Sequence, residues 1–412
     1  MAVPEETMAA LLRQHLIDPE VCIRCGTCEE TCPIDAITHN DDNYVVDAGR
    51  CDYCMDCIAP CPTGAIDSWR TVAEAYPVAE QLEWEELPEE QEHDARAEDA
   101  RPGAPEADDE VEQILALAHA GQKRLVPPGS APRPRVNLYS RSNPAVATVV
   151  GNYRLTDPRS DSDVHHIVLD FGSTAFPVLE GQSVGIIPPG HDERGKPHVV
   201  RLYSVASPRD GERPNHNNLA LTVKRERFEA DGEVRYGVAS SYLCGLERGD
   251  RVQLTGPFGK TFLMPDRPDA NLLMICTGTG SAPFRAMTER RRRQLPEGPG
   301  KLLLFFGART PGELPYHGPL MKLSRRLIDV ELAFSRLADK PRQYVQDRMR
   351  ERAEDIGTLL ADPRTHVYVC GLKGMEQGVY DAFGEVCAAR GEHWHTLHRE
   401  MCESGRYHVE TY

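Results

Sequence analysis

Residues 272–285 read LLMICTGTGSAPFR, an apolar run leading straight into a glycine loop. An apolar run bounded by turn residues predicts a strand buried on both faces, and the loop predicts a turn into a helix. Gly278 and Gly280 have the spacing of the GxGxxG phosphate loop, but Pro283 stands where the third glycine would be. Proline fits the first turn of a helix, so the loop still delivers helical N–H groups to a nucleotide pyrophosphate. Downstream the strand–loop–helix unit recurs. KLLLFFG (301–307) precedes a helix near Leu320, VELAFSR (330–336) precedes YVQDRM, and HVYVCG (366–371) precedes LKGMEQGVYDAFGEVCAARG. Residues 266–412 are therefore expected to form an α/β domain, a parallel sheet with helices on both faces that binds a nucleotide.

Upstream the pattern changes. HHIVLDF (165–171), QSVGIIP (182–188), LALTVKR (219–225) and DRVQLTG (250–256) are short β-rich runs between Gly and Pro turns. They predict an antiparallel β-barrel over 136–265. Within it, Arg201-Leu202-Tyr203-Ser204 combines a guanidinium able to clamp a pyrophosphate with a flat ring two residues on, on the same side of a strand. Tyr203 offers its face to an isoalloxazine ring and Ser204 its hydroxyl to a ring nitrogen. Alone, these could be an ordinary strand's Tyr and Ser. Gly237-Val238-Ala239-Ser240-Ser241 follows, however, and leads into a probable helix whose turn can aim N–H groups at phosphate.

The N-terminus carries two runs of one spacing. Cys22, Cys25, Cys28 and Cys32 end in Pro33, and Cys51, Cys54, Cys57 and Cys61 end in Pro62. C-x₂-C-x₂-C-x₃-C-P written twice is the pattern of a two-[4Fe–4S] ferredoxin, in which the fourth cysteine of each run ligates the other cluster. By that rule Cys22, Cys25, Cys28 and Cys61 hold one cluster, and Cys51, Cys54, Cys57 and Cys32 the other. Structural zinc and a disulfide framework are the competing readings, but zinc leaves the repeated third cysteine and the proline unexplained. An α+β ferredoxin domain is expected over 1–70. The other five cysteines, Cys244, Cys276, Cys370, Cys387 and Cys402, are scattered.

Residues 71–135 read as an acidic, Pro-rich linker with a possible docking helix in DDEVEQILALAHAGQ. The net charge of −17 is uneven: residues 1–132 hold 29 Asp and Glu against 8 Lys and Arg. A solvated linker explains much of this, and an acidic module docking on a basic surface is the sharper reading. Nucleic acid is not an expected partner. No apolar run is long enough to span a bilayer, and the first residues have no signal-peptide pattern. A cytoplasmic protein, not bound to membranes, is expected.

Taken together, EGQSVGIIP, GKPHVVRLYSVAS, LTVKR, GVASSYLCGLERGD, LTGPFGK, TGTGSAPFR, VYVCGLKGMEQG and the terminal YHVETY resemble the plant-type ferredoxin–NADP⁺ reductase family over residues 140–412. The resemblance implies an FAD barrel, an NADP domain, and hydride transfer between nicotinamide C4 and flavin N5. It assigns FAD contacts to Arg201, Tyr203 and Ser204, with Ser204 near N5, and cofactor contacts to Lys224, Val238, Ala239, Ser240 and Thr279. Plant members have Cys where Ala239 stands. Phe228 matches a Tyr that stacks on the FAD adenine. Cys370 and Glu410 match the thiol and carboxylate beside the hydride-transfer site, and Tyr412 the aromatic that covers the flavin. On chemistry alone Cys370 would read as a packing thiol.

For the coenzyme, the strand VELAF ends in Ser335 and Arg336 rather than in an acid suited to ribose hydroxyls, and Arg342 and Tyr344 follow. Donors and an aromatic platform favour NADPH. His393, His395 and His398 look like a metal cluster but, placed after the last helix, are expected to be solvated or core residues. The Arg290–Arg293 run is expected to serve acceptor docking or solvation.

NADPH gives electrons in pairs and an iron–sulfur cluster takes one, so the expected route is NADPH, FAD, two [4Fe–4S] clusters, external acceptor. A two-cluster ferredoxin fused ahead of this reductase resembles the reductase components of two-component oxygenases, and the resemblance implies an oxygenase subunit as that acceptor. A self-contained NADPH–ferredoxin reductase, and a redox-sensing or scaffold protein, are the alternatives.

Overall fold

The structure, a computed structural model, describes residues 12–19, 22, 24, 26–51, 57, 58, 61, 65, 66, 69–72, 74–88 and 126–412, the last stretch apart from 193, 215, 231, 295–297 and 339. Cys25, Cys54 and the helix expected within 108–122 lie outside the described residues. The chain divides into two compact units, one formed by 1–104 and 214–217 and one by 105–213 and 218–412.

In the N-terminal unit β1 (Leu12–His15) pairs antiparallel with β4 (Trp69–Val72), and β2 (Ile37–His39) with β3 (Tyr44–Val46). The core gathers Ile17, Ile37, Val46 and Ile66 around the buried Cys28 and Cys57, with Cys22, Cys32, Cys51 and Cys61 packed against it. The unit does not stop at residue 70. A helical turn at Val78–Gln81 folds back, and Gln81 Nε2 donates to Val46 O (3.0 Å) while Asn43 Nδ2 donates to Trp84 O (2.7 Å). Gln14 and Tyr76 exchange two more such bonds. Composition reads this stretch as linker, but buried amide side chains satisfy its backbone and hold it in the fold.

In the second unit β5 (Ala145–Arg154), β6 (Val164–Asp170), β7 (Ser183–Ile186), β8 (Arg201–Ser204), β9 (Asn218–Lys224) and a later strand, Arg251–Phe258, form an antiparallel sheet. A hairpin of β10 (Arg227–Ala230) and β11 (Glu233–Tyr236) precedes that strand, which is β12. The order is β8-β7-β12-β5-β6-β9. Its two ends meet where Val205 bridges Leu221 and the Ala206 N–H donates to Ala220 O (2.8 Å), closing the barrel. Alternating residues such as Val149, Ile167, Leu169, Val184, Leu221 and Leu254 fill it, with Leu243 from the helix Val238–Cys244.

Beside the barrel, β13 (Asn271–Thr277), β14 (Leu302–Ala308), β15 (Asp329–Phe334), β16 (Thr365–Gly371) and β17 (Tyr407–Thr411) are all parallel, in the order β15-β14-β13-β16-β17. Successive β13 residues face opposite cores. Leu273 and Ile275 join one, and Leu272, Met274 and Cys276 the other, with Phe284 and Met287. The strand order reverses between β13 and β16, which opens a crevice at their C-terminal ends.

Two expectations are corrected here. His393–His398 do not follow the last helix, because Trp394–Glu403 is itself a helix. His398 there packs against Trp394, Tyr380 and Tyr407. The Arg290–Arg293 run is mostly turned inward on the helix Ser281–Gln294. Arg291 donates to Pro268, Ala270 and Gly300 carbonyls, Arg290 lies 3.8 Å from the fully buried Glu180, and Arg293 bonds Asp210 at 3.0 Å. Arg292 pairs with Glu289 at the surface. Four consecutive helical residues are spread over about 300°, so a packed helix cannot show all four to water.

Among the described residues no helix is long and apolar enough to cross a membrane. No group of three or more His, Cys, Asp or Glu is arranged among them to hold a metal ion.

Candidate functional site

The crevice is built by close backbone approach. A Cβ on Gly280 would lie 2.3 Å from Cys370 O, and one on Gly371 (φ +140°) 2.5 Å from Thr277 Oγ1. Only glycine lets the loop after β13 press on the end of β16 in this way. The Leu372 N–H then donates to Thr277 Oγ1 (3.2 Å). Tyr412, directly after β17, is fixed at its backbone: its N–H donates to Gly371 O (3.0 Å) and its carbonyl accepts from the Lys373 N–H (3.1 Å). The terminal residue as a whole remains 61% exposed.

Two cavities flank Tyr412. The first, of about 660 Å³, is lined from the barrel side by Arg201, Tyr203 and Ser204 of β8, by Lys224 and Phe228, and by Val238, Ala239 and Ser240. Thr279, Cys370, Glu410 and Tyr412 line it from the sheet side. Ser204 is the register partner of Ser183, their hydroxyl oxygens 3.5 Å apart. Ser240 Oγ donates to Gly237 O (3.2 Å) and accepts from the Glu226 N–H (3.1 Å), which shapes the turn before its helix. Cys370 and Glu410 face one another in register on β16 and β17. Burial pushes the Glu410 carboxyl up to about 8. Burial, then the neighbouring Glu410 charge, pushes the Cys370 thiol up.

The second cavity, of about 850 Å³, is lined by Thr277–Thr279, Ser335, Arg336, Arg342, Tyr344 and Tyr412. Backbone bonds set its wall: the Ser335 N–H to Ala308 O, the Arg336 N–H to Arg309 O, and the Gln343 N–H to Phe334 O. Tyr344 N–H donates to Asp347 Oδ2 (2.9 Å), capping the helix Val345–Glu351. Arg336 and Arg342 are exposed and carry no ion pair among the described residues, so their charge is open to an anion. Both cavities are within the size range of small-molecule sites. Thr279 and Tyr412 line both, so what fills one meets what fills the other at that wall. A dinucleotide in each, one with a stacked ring and one with a phosphate read by guanidinium groups, fits the donor set.

Arg309 and Leu372 also line the larger cavity, and neither is among the candidate residues read from the sequence. The signal that finds them is position. Each directly follows a parallel strand, β14 or β16, where open α/β sheets gather ligands.

In the N-terminal unit all six described cysteines of the two runs share one core cluster. The Cys28 thiol is pushed up to about 11, by burial first, with the Cys22 and Cys61 thiols adding. Cys61 of the second run thus acts electrostatically on a thiol of the first. Cys32 Sγ accepts from the Ala36 N–H at 3.2 Å. Convergent thiols fit 4Fe–4S chemistry.

The oxidoreductase NAD-binding domain family matches residues 274–381, and the 4Fe–4S binding domain family residues 15–38. A ferredoxin–NADP reductase of Synechocystis sp. is 40% identical over 287 residues, covering 67% of this chain and 70% of its own. One from Spirulina sp. is 38% identical over 288 residues, covering 67% and 98%. The solved ferredoxin–NADP⁺ reductase of Plasmodium falciparum superposes with a TM-score of 0.54 at 25% identity, covering 68% of this chain and all of that one. A structure of the same reductase holds 2′P-AMP.

Proposed function

The chain belongs to the ferredoxin–NADP reductase family, and from that premise we propose that it carries electrons from NADPH through FAD and two [4Fe–4S] clusters to an oxygenase. It is an NADPH:acceptor oxidoreductase and a flavoprotein with a 4Fe–4S motif. The observation that carries the proposal is the shared wall. Thr279 and Tyr412 separate a cavity suited to a flavin from one suited to a phosphorylated nicotinamide coenzyme, in a chain whose six described N-terminal cysteines share one core cluster.

Bound FAD supplies the conversion of a two-electron donor into the one-electron steps that clusters accept. In the proposed assignment Arg201 holds the flavin pyrophosphate, Tyr203 and Phe228 offer flat faces, and Ser204 donates toward the ring. Lys224, Val238, Ala239 and Ser240 complete that cavity. Ser335, Arg336 and Arg342 read the 2′-phosphate, Tyr344 supports the adenine, and Thr279 bounds the pyrophosphate side. Cys370 and Glu410 flank the reacting face, where Glu410 keeps its proton near neutral pH, and Tyr412 covers the flavin until nicotinamide takes its place. Cys22, Cys25, Cys28 and Cys61 hold one cluster; Cys51, Cys54, Cys57 and Cys32 hold the other.

For the acceptor, a two-cluster ferredoxin preceding this reductase looks like the reductase component of benzoyl-CoA 2,3-epoxidase (benzoyl-CoA oxygenase), whose partner is a di-iron oxygenase subunit of aerobic benzoate breakdown. A second reading, a self-contained NADPH–ferredoxin reductase serving another acceptor, is favoured by the names of the relatives. A sensing or scaffold role is disfavoured by a complete pair of ligand cavities. The deciding experiment mixes anaerobically purified protein and NADPH with candidate di-iron oxygenases and ferredoxins, after assay of flavin and iron. One FAD and about eight iron per chain support the redox route. Turnover with the epoxidase subunit and none with ferredoxins supports the first acceptor, and the reverse result removes it.

A further inference from the structure

The helix Ser281–Gln294 begins where the glycine loop ends, and one of its side chains reaches back across to the barrel. Arg285 Nη1 donates to Ala206 O (2.8 Å) and Glu212 Oε2 (2.6 Å), and Nη2 donates to Glu212 Oε1 (2.8 Å). Its guanidinium lies 5.0 Å from the centre of the Tyr316 ring. Tyr316 Oη is in turn 2.9 Å from His166 Nδ1 on β6 and 2.6 Å from Thr222 Oγ1 on β9. His166 Nε2 is 3.5 Å from Glu212, which closes the ring of contacts. Burial opposes ionisation of Glu212, yet the bonds from His166 and Arg285 hold its carboxyl down at about 2. The contacts lie largely out of water, where charge-assisted bonds are strong and directional.

The chain positions of these groups matter. Ala206 follows Ser204 by two residues, and Arg285 follows Thr279 by six. We propose that Arg285 is a positioning residue for the reductase reaction, its fork tying the strand end that bears Ser204 to the loop that bears Thr279 and so fixing how flavin and nicotinamide meet. The proposal rests on the FAD and NADPH reading above. Arg285 does not line either cavity, so its effect is exerted through Ala206 and Glu212. A misplacement of reacting rings by about 1 Å is enough to cost about 100-fold in rate. Lysine keeps the charge but is a point donor that cannot hold both partners in one plane.

The test uses the full chain loaded with FAD and compares the parent with Arg285→Lys and with Glu212→Gln, a near-isosteric change that serves if the lysine variant folds poorly. Flavin content, affinity for 2′P-AMP, the charge-transfer absorbance on adding NADP⁺, and the rate of flavin bleaching by NADPH are read for each. The expected result is unchanged flavin content, 2′P-AMP affinity within about two-fold, loss of the charge-transfer band, and bleaching slowed about 10- to 100-fold. The double variant should be no slower than the slower single variant, because both break one contact. A lower melting temperature with the band and the bleaching rate intact would overturn the positioning role and leave only a structural one. Loss of 2′P-AMP affinity in step with the rate would overturn it too, as general damage. A parent that binds no FAD and does not oxidise NADPH would instead sink the reading beneath it.

Discussion

Thr279 Oγ1 lies 2.6 Å from Tyr412 Oη, so the loop after β13 and the residue after β17 close over the same space. In the proposed assignment the bond and the ring together form a cover that would leave before a nicotinamide enters. Stacking and a hydrogen bond of this kind contribute about 1 kcal/mol each.

Tyr412→Ser is therefore expected to bind NADP⁺ roughly ten-fold more tightly or more, since removing the cover recovers that cost. The charge-transfer band should strengthen and the preference for NADPH over NADH should weaken, because the ring contact is common to both coenzymes. Titration of the variant with NADP⁺ and NADH checks it. Unchanged affinity and preference would reduce Tyr412 to a frayed end.

Arg336→Ala removes from the larger cavity a guanidinium group that has no ion pair among the described residues. A charged hydrogen bond of about 2 kcal/mol corresponds to about 30-fold in KM for NADPH. KM for NADH should move less than about three-fold, as it has no 2′-phosphate to lose. Equal changes for both coenzymes would show that Arg336 does not read that group.

Cys61 belongs by sequence to the second run, yet its thiol acts electrostatically on Cys28 of the first. Cys61→Ser and Cys28→Ser should therefore abolish the same paramagnetic signal in the reduced protein, with iron falling from about eight to about four per chain. Flavin bleaching by NADPH should stay within about two-fold of the parent, while transfer to the natural acceptor collapses. Loss of different signals in the two variants would refute crossed ligation.

His366 and His408 are buried beside one another on β16 and β17, ring centres 6.3 Å apart. Burial first, with Arg406 adding, lowers His366 to about 4, and burial first, with His366 adding, lowers His408 to about 3. The unfolded chain thus binds more protons than the folded one once the pH falls below about 6.5. Stability is fully present above that value and is lost on acidification toward pH 4, by on the order of 3 kcal/mol for a two-unit depression. Denaturant midpoints between pH 4 and 7.5 should fall with pH in the parent and fall less in His408→Phe. Parallel curves would assign the acid sensitivity elsewhere.

Much of this architecture is legible locally. RLYS falls on β8, TGTGSAP on the turn after β13, and each apolar run between 272 and 371 on a parallel strand, because strand period and turn glycines are short-range signals. The terminal YHVET announces no strand of its own; it becomes β17 by pairing with β16. What escapes the sequence is non-local. Nothing near Arg285 announces Glu212 or Ala206, and nothing in an acidic stretch announces that Gln81 will bond Val46. An arginine run shows its charge but not which neighbours surround its helix.

The barrel is laced by five ladders, yet its sixth boundary, between β8 and β9, is held at Val205–Leu221 and the Ala206 amide. That seam starts one residue beyond Ser204. Breathing of the barrel will begin there, well below the cost of global unfolding. A flavin gripped as proposed by Arg201–Ser204 on one lip and Lys224 on the other would act as the missing ladder, and its binding energy would become stability of the barrel itself. Stripping the flavin should then speed hydrogen–deuterium exchange at Ala206 and leave the amides between β5 and β6 protected; equal loosening of both would mean the barrel has no preferred line of opening.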